Sequence, residues 1–63
     1  MQTVTLPRYG TMLFGEINGY PPSHWRYAGV RNGSCILERV IHGRTVHGQD
    51  QGVSRDDVAR LAR

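Results

Sequence analysis

The segment "WRYAGVRNGSCILERVIHGRTVHG", residues 25–48, carries the clearest structural signal in this chain. Three runs rich in apolar and β-branched residues are separated by two dipeptides, Asn32-Gly33 and His42-Gly43. Asn-Gly is the strongest short signal for a two-residue hairpin loop, because the type I′ turn requires positive φ at both positions. His42-Gly43 is a weaker signal of the same length. The segment therefore predicts a three-stranded antiparallel meander.

The two loops also predict which residues pair across the meander. With Asn32-Gly33 as the loop, Arg31 lies opposite Ser34. The predicted pairs further along this hairpin are Val30–Cys35, Ala28–Leu37, Tyr27–Glu38, Arg26–Arg39 and Trp25–Val40. The second loop predicts the pairs Ile41–Arg44, Val40–Thr45, Arg39–Val46 and Glu38–His47.

This register divides the side chains between two faces, because successive residues of a strand point to opposite sides. The predicted core face holds Ala28, Val30, Cys35, Leu37, Ile41 and Val46. The other face holds Trp25, Tyr27, Ile36 and Val40 beside Glu38, Thr45 and His47. The second face is too apolar for ordinary solvent exposure, so we expect a curled sheet, another part of the chain or a partner to cover it. A one-residue slip in a hairpin would exchange the faces along a strand.

The rest of the chain predicts short strands and one helix. Thr3–Pro7 alternates polar and apolar residues, which indicates an edge strand, and Thr11–Ile17 predicts a second strand with a bulge at Gly15. Asn18-Gly19 predicts a turn. In the segment Tyr20–Trp25, the pair Pro21-Pro22 predicts an extended connection that turns a corner.

The C-terminal region predicts a polar loop at Gln49–Gly52 and a helix over Val53–Arg63. Ser54 is a suitable N-cap, and Asp56 and Asp57 follow in the first turn, where they favour the helix dipole. Together these elements predict a single small domain over residues 1–63 that is mostly β. The expected architecture is an SH3-like small barrel or a curled antiparallel meander of about five short strands with a short C-terminal helix.

Composition narrows the classes of function. The 63 residues carry a net charge of +3, and all eight basic residues are arginine, which keeps its charge and pairs bidentately with carboxylate or phosphate. A single cysteine excludes an internal disulfide and favours a cytoplasmic protein. The longest apolar run is Met12–Phe14, so no membrane span is expected.

No motif in the chain predicts catalysis, a cofactor or a metal site. Cys35 falls on the predicted core face, where a free cysteine usually serves as a small apolar residue. The three histidines, His24, His42 and His47, lack a recognised ligand spacing. We therefore expect a protein that is not an enzyme.

Two classes of binding function remain open. The first is a module that binds nucleic acid through arginines and exposed aromatic side chains. The residues predicted to bind are Tyr20, Trp25, Arg26, Tyr27, Arg39 and Arg44. The second is a protein-interaction module, such as a phage or mobile-element regulator, an inhibitor or a small subunit, that uses the face with Trp25 and Tyr27. A homodimer is a further expectation, because a core this thin gains from additional burial.

Overall fold

The computed structural model describes residues 6–62, which form one antiparallel sheet and one short helix. The strands are β1 (Met12–Ile17), β2 (Tyr20–Arg31), β3 (Ser34–Ile41), β4 (Arg44–Thr45) and β5 (Gln51–Val53), and they are followed by helix α1 (Arg55–Leu61). The strand order is β1-β2-β3-β4, and β5 pairs with the first half of β3. The fold is thus mostly β, as predicted. Over the described residues the sheet is not closed into a barrel, so the curled meander is confirmed and the SH3-like barrel was wrong.

Three two-residue turns connect the first four strands. Asn18-Gly19, Asn32-Gly33 and His42-Gly43 each have positive φ at both positions, between 48° and 84°. This is the type I′ pattern that fits the right-handed twist of a hairpin. The predicted turns are therefore confirmed.

The register of the meander agrees with the prediction close to each turn. Arg31 pairs with Ser34 and Val30 with Cys35 beside the first loop. Beside the second loop the pairs Ile41–Arg44 and Val40–Thr45 form as predicted. The N–H of Val46 also donates to the carbonyl of Arg39 over 2.8 Å. The predicted Glu38–His47 pair is absent from this ladder, because β4 ends at Thr45.

A bulge shifts the register of the first hairpin by one residue. Ala28 and Gly29 of β2 together stand opposite Ile36, and Gly29 adopts a φ of 85°. Beyond the bulge the observed pairs are Tyr27–Leu37, Arg26–Glu38, Trp25–Arg39 and His24–Val40. The predicted pairs Ala28–Leu37, Tyr27–Glu38, Arg26–Arg39 and Trp25–Val40 were therefore wrong. An inserted residue reverses the side of the sheet to which all following side chains point.

The bulge places Trp25 and Tyr27 of β2 in the core. Trp25 is 0% exposed and Tyr27 is 5% exposed. The core cluster consists of Leu13, Ile17, Trp25, Tyr27, Cys35, Leu37, Val53, Val58 and Leu61. We call the side of the sheet that carries this cluster and packs against α1 the inner face, and the opposite side the outer face.

The structure confirms some of the predicted face assignments and contradicts others. Cys35 and Leu37 are completely buried, as predicted for the core face. Val30 and Ile41 were predicted to be core residues, but they are 47% and 41% exposed near the ends of their strands. The prediction of an uncovered apolar face around Trp25 and Tyr27 was wrong, because both side chains belong to the core.

The segment with two prolines is part of β2, so the prediction of a connecting loop was also wrong. Ile17 pairs with Tyr20 and Gly15 with Ser23, which leaves Pro21 and Pro22 at an irregular step of the ladder. Proline is tolerated at such a bulge because its missing N–H removes no regular ladder bond. The Ser23 hydroxyl donates to the Pro21 carbonyl over 2.8 Å.

The C-terminal helix covers the inner face of the sheet. Ser54 caps α1 by accepting a hydrogen bond from the Asp57 N–H over 3.2 Å, and Val58 and Leu61 are buried. Leu61 lies so close to Gly15 of β1 that a Cβ at this position would clash with it. Gly15 thus lies at the predicted irregularity in β1. Because it has no side chain, it also lets the helix approach the sheet.

Two further predictions concern secondary structure near the ends of the chain. The predicted loop Gln49–Gly52 and the predicted helix start at Val53 were wrong in part, because Gln51–Val53 forms β5 and the helix begins at Arg55. Of the predicted strand Thr3–Pro7, residues 3–5 lie outside the described part of the chain. Leu6 and Pro7 belong to no strand, although Leu6 packs against the core.

Candidate interaction surface

The outer face of the sheet carries two rows of paired residues. Met12, Arg26 and Glu38 form the first row across β1, β2 and β3. Phe14, His24 and Val40 form the next row. We use the name outer surface for these six residues together with Tyr9. It lies opposite the helix and is built on regular strands, which hold its side chains in fixed positions.

Large apolar side chains remain exposed on the outer surface. Tyr9 is 67% exposed, Phe14 is 55% exposed and Met12 is 49% exposed. The Phe14 ring packs against the His24 ring with 4.9 Å between centroids and a tilt of 59°. Only Val40, at the far end of this row, is buried. The outer surface thus keeps aromatic area available to a partner.

Arg26 is held between two neighbours on the outer surface. Its Nη1 donates to Oε1 of Glu38 over 2.7 Å, and its guanidinium carbon lies 5.0 Å from the centre of the Tyr9 ring. The hydrogen bond to Glu38, followed by the interaction with Tyr9, raises the pKa of Arg26 above its ordinary value. Arginine keeps its charge at ordinary pH, and Glu38 balances the charge of Arg26 locally.

The residues predicted to bind are divided between the two faces. Trp25 and Tyr27 lie in the core, and the Trp25 indole N–H donates to the Gly15 carbonyl over 3.0 Å. Tyr20 stands edge-on to Trp25, with ring centroids 5.5 Å apart. Of the predicted aromatic residues, only Tyr20 retains partial exposure.

The three predicted arginines do not form one cluster. Arg39 lies across from Trp25, with its guanidinium carbon 5.1 Å from the centre of the Tyr20 ring. Its Nη1 donates to Gln49 over 2.9 Å, while its Nε is buried without a hydrogen-bond partner in the described part of the chain. Arg44 is exposed on β4, opposite Ile41. The predicted facing of Arg26 and Arg39 is replaced by the Arg26–Glu38 ion pair.

Sequence reasoning missed four residues of the outer surface: Tyr9, Met12, Phe14 and His24. The run Met12–Phe14 is continuously apolar, so alternation alone does not reveal which of its residues face outward. The pairing with β2 settles this, because Leu13 lies across from buried Trp25 while Met12 and Phe14 do not. Tyr9 stands beside the bulge, 3.7 Å from the position of a Cβ on Gly29.

An open groove of about 690 Å³ runs beside the outer surface, along β1. Its lining includes Pro7, Met12, Phe14, His24 and, from the end of α1, Leu61 and Ala62. The groove is therefore mainly apolar and lies where the sheet edge meets the helix. It adjoins the exposed side chains described above.

The other candidate groups are Cys35 and the side chains that could bind a metal ion. Within residues 6–62, no group of three or more His, Cys, Asp or Glu side chains is placed to hold a metal ion. Cys35 is a free, buried cysteine. The one helix of the described region is too short and too polar to cross a membrane.

No protein-family model matches the chain, and searches of curated proteins and of solved structures each give no significant match. The geometry of the outer surface is thus the main guide to function.

Proposed function

We propose that this chain is a non-enzymatic module that binds another protein through its outer surface. The observation that carries the proposal is the exposure of Phe14 and Met12 on a sheet face whose main charged pair, Arg26–Glu38, is neutral overall. Apolar side chains that remain in water although the chain has a core of its own are typical of an interaction site.

The arrangement of the outer surface resembles the centre of a protein interface. Aromatic residues supply most of the binding energy in such interfaces, while surrounding polar groups exclude water and orient the partner. Phe14 and His24 would form the aromatic centre, and Tyr9 would extend it along the sheet. The Arg26–Glu38 pair would contribute hydrogen bonds at its side.

The distribution of arginines supports a protein partner over nucleic acid. Arg8, Arg31 and Arg44 are exposed at three separate turns or strand ends. A protein that follows a phosphate backbone usually presents a continuous basic stripe. Arg8, Arg31 and Arg44 instead lie on three separate parts of the chain.

Single-stranded nucleic acid is the second candidate partner, and one observation favours it. Arg26 stacks over the exposed Tyr9 ring, and Phe14 and His24 lie on the same face. Exposed rings next to arginine can stack on successive bases. The net charge of +3 is compatible with this function.

The buried, free Cys35 suits the reducing environment of the cytoplasm.

The experiment compares two charge substitutions at exposed apolar positions. Phe14→Glu changes the outer surface, whereas Ile41→Glu changes a residue that is 41% exposed at the far end of β3. Proteins and nucleic acids captured by the wild-type chain are identified, and binding is then measured with the purified partner. We expect a protein whose affinity falls at least roughly tenfold with Phe14→Glu, as for an interface hot spot, and hardly changes with Ile41→Glu.

Two results would contradict this proposal. Equal binding by the two variants would show that the outer surface is not the interface. Capture of single-stranded nucleic acid, with an affinity that falls steeply as salt increases, would support the second candidate because phosphate contacts release counterions. A titration with single-stranded DNA at several salt concentrations measures that dependence.

A further inference from the structure

Among the described residues, strand β1 forms an open edge of the sheet. It pairs with β2 on one side, and the apolar groove described above lies on its other side. An edge strand presents backbone N–H and C=O groups that can pair with another strand. The orientation of these groups can be read from the pairing with β2.

Met12 and Phe14 direct their backbone groups towards the groove. The Tyr27 N–H donates to the Thr11 carbonyl over 2.9 Å, immediately beside the Met12–Arg26 pair. In an antiparallel ladder this position makes Met12–Arg26 a pair without mutual hydrogen bonds, and the same holds two residues later for Phe14. The N–H and C=O of both residues therefore point away from β2.

The open part of the edge is short and well defined. The Glu16 carbonyl, further along β1, accepts a hydrogen bond from Arg60 of α1 over 3.4 Å. Towards the other end, the Gly10 N–H donates to Tyr27. Within the described part of the chain, the two N–H groups of Met12 and Phe14 donate no hydrogen bond, and their two C=O groups accept none.

We propose that this edge binds β1 of a second copy of the chain, in antiparallel orientation around a twofold axis at Leu13. Met12 of each copy then lies opposite Phe14 of the other. All four groups on each edge form hydrogen bonds, which gives four bonds across the interface. A register that places Met12 opposite Met12 is inferior, because it sets Phe14 against Gly10, whose N–H is already engaged.

Charge complementarity supports a second copy as the occupant. The end of β1 carries the acidic Glu16, while exposed Arg8 and partly buried Arg26, whose Nη1 already pairs with Glu38, lie near its beginning. In the proposed register Glu16 lies opposite Gly10 of the second copy, and Nη2 of Arg26 is 3.8 Å from the position of a Cβ on Gly10. The antiparallel arrangement therefore brings the acidic end of each strand to the basic end of the other.

The side chains and helices are compatible with this arrangement. Met12 and Phe14, both about half exposed, become neighbours across the interface on the outer face. Each helix contacts β1 at Gly15, and the two Gly15 positions are separated by four residues along the strands, or about 13 Å. Packed helices need only about 8–10 Å between their axes. Both helices consequently have room on the inner side.

The dimer would join two outer surfaces into one continuous face, but it does not depend on the proposed function. A second copy binds at the edge of the sheet, whereas the protein partner proposed above binds on its face. A monomer that still binds its partner would contradict the dimer alone. A dimer without a partner would contradict the proposed function alone.

Sedimentation equilibrium from micromolar to millimolar concentration tests this inference with the full chain. We expect a monomer–dimer equilibrium in the wild type. Phe14→Pro removes an outward N–H from each copy, and proline is tolerated at such a position on an edge strand. Loss of two of four hydrogen bonds should weaken the dimer roughly 30-fold. Phe14→Thr is the matched control, because it removes the ring but keeps the N–H, and it should weaken the dimer less.

The expected contact can also be measured directly in the wild type, which covers the case in which Phe14→Pro does not fold. In a mixture of isotope-labelled and unlabelled protein, we expect an intermolecular NOE between the Met12 methyl group and the Phe14 ring. A wild type that stays monomeric at millimolar concentration would overturn the proposal. So would equal effects of Phe14→Pro and Phe14→Thr, or intermolecular NOEs that place another region at the interface.

Discussion

The inner and outer faces of the sheet both carry aromatic side chains, yet their exposure is very different. Trp25 and Tyr27 on the inner face are at most 5% exposed, while Tyr9 and Phe14 on the outer face are more than half exposed. Aromatic content therefore does not distinguish the core from the surface in this chain. The difference arises from the register between strands, which is set by a bulge at Gly29.

The comparison also shows how a small domain uses a limited number of apolar residues. The inner face gains the cover of α1, whose Val58 and Leu61 pack against Trp25 and its neighbours in one cluster. The outer face has no second layer within residues 6–62. Its aromatic residues are consequently available for binding rather than for stability. The following variants test this division.

The largest difference in the free energy of unfolding is expected between an alanine substitution on the inner face and one on the outer face. Trp25→Ala removes a fully buried ring and its hydrogen bond to Gly15, which should cost about 3–5 kcal/mol in the free energy of unfolding. Phe14→Ala, as the control, should cost less than about 1 kcal/mol because the ring is more than half exposed. Urea denaturation followed by circular dichroism measures both values. Equal losses would mean that the outer face is also part of the core.

A smaller loss of stability is expected when a substitution adds a side chain at the bulge. Gly29 has a φ of 85°, where a β-branched residue is strained, so Gly29→Val should lower the free energy of unfolding by about 1–3 kcal/mol. Gly33→Val provides the control, because Gly33 has a similar φ of 81° but lies in the hairpin loop.

Both variants should be destabilised, but only Gly29→Val should alter the fluorescence of Trp25, because the bulge sets the register of that residue. An unchanged thermal midpoint in Gly29→Val would show that the bulge is absent. An unchanged midpoint in Gly33→Val would contradict the type I′ turn.

The smallest effect on the free energy of unfolding is expected from Tyr27, and it should appear only at alkaline pH. Burial raises the pKa of Tyr27 above its ordinary value, Cys35 adds to this rise, and Arg55 opposes it. The folded state therefore holds the phenol proton more tightly than the unfolded state, whose tyrosine pKa is about 10. The resulting stabilisation is complete below pH about 10 and is lost as the pH rises through the folded-state pKa.

Tyr27→Phe should accordingly reduce the fall in unfolding free energy that the wild type shows above pH about 10. Urea denaturation at a series of alkaline pH values tests the prediction. Identical curves for Tyr27→Phe and the wild type would show that this phenol does not couple to folding.

Local features of the chain were predictable because their causes are local. Asn-Gly and His-Gly turns require only the conformational preferences of two residues. The Ser54 cap likewise depends on groups within one helical turn. The irregularity at Gly15 was predicted as well, although its contact with Leu61 was not. The candidate surface was largely missed, since only Arg26 was among the predicted binding positions, although Glu38 and Val40 belonged to the predicted second face.

The amino-acid sequence by itself determined the mostly β class, the three tight turns, the pairing next to the second and third turns and the capped helix. The tertiary structure determined which face became the core, through the bulge at Ala28-Gly29, and it formed β5 from a segment with a single apolar residue, Val53. Turn geometry is selected by a few neighbouring torsion angles. The face of a strand depends on its register along the whole ladder, and one inserted residue reverses it because side chains alternate with a period of two.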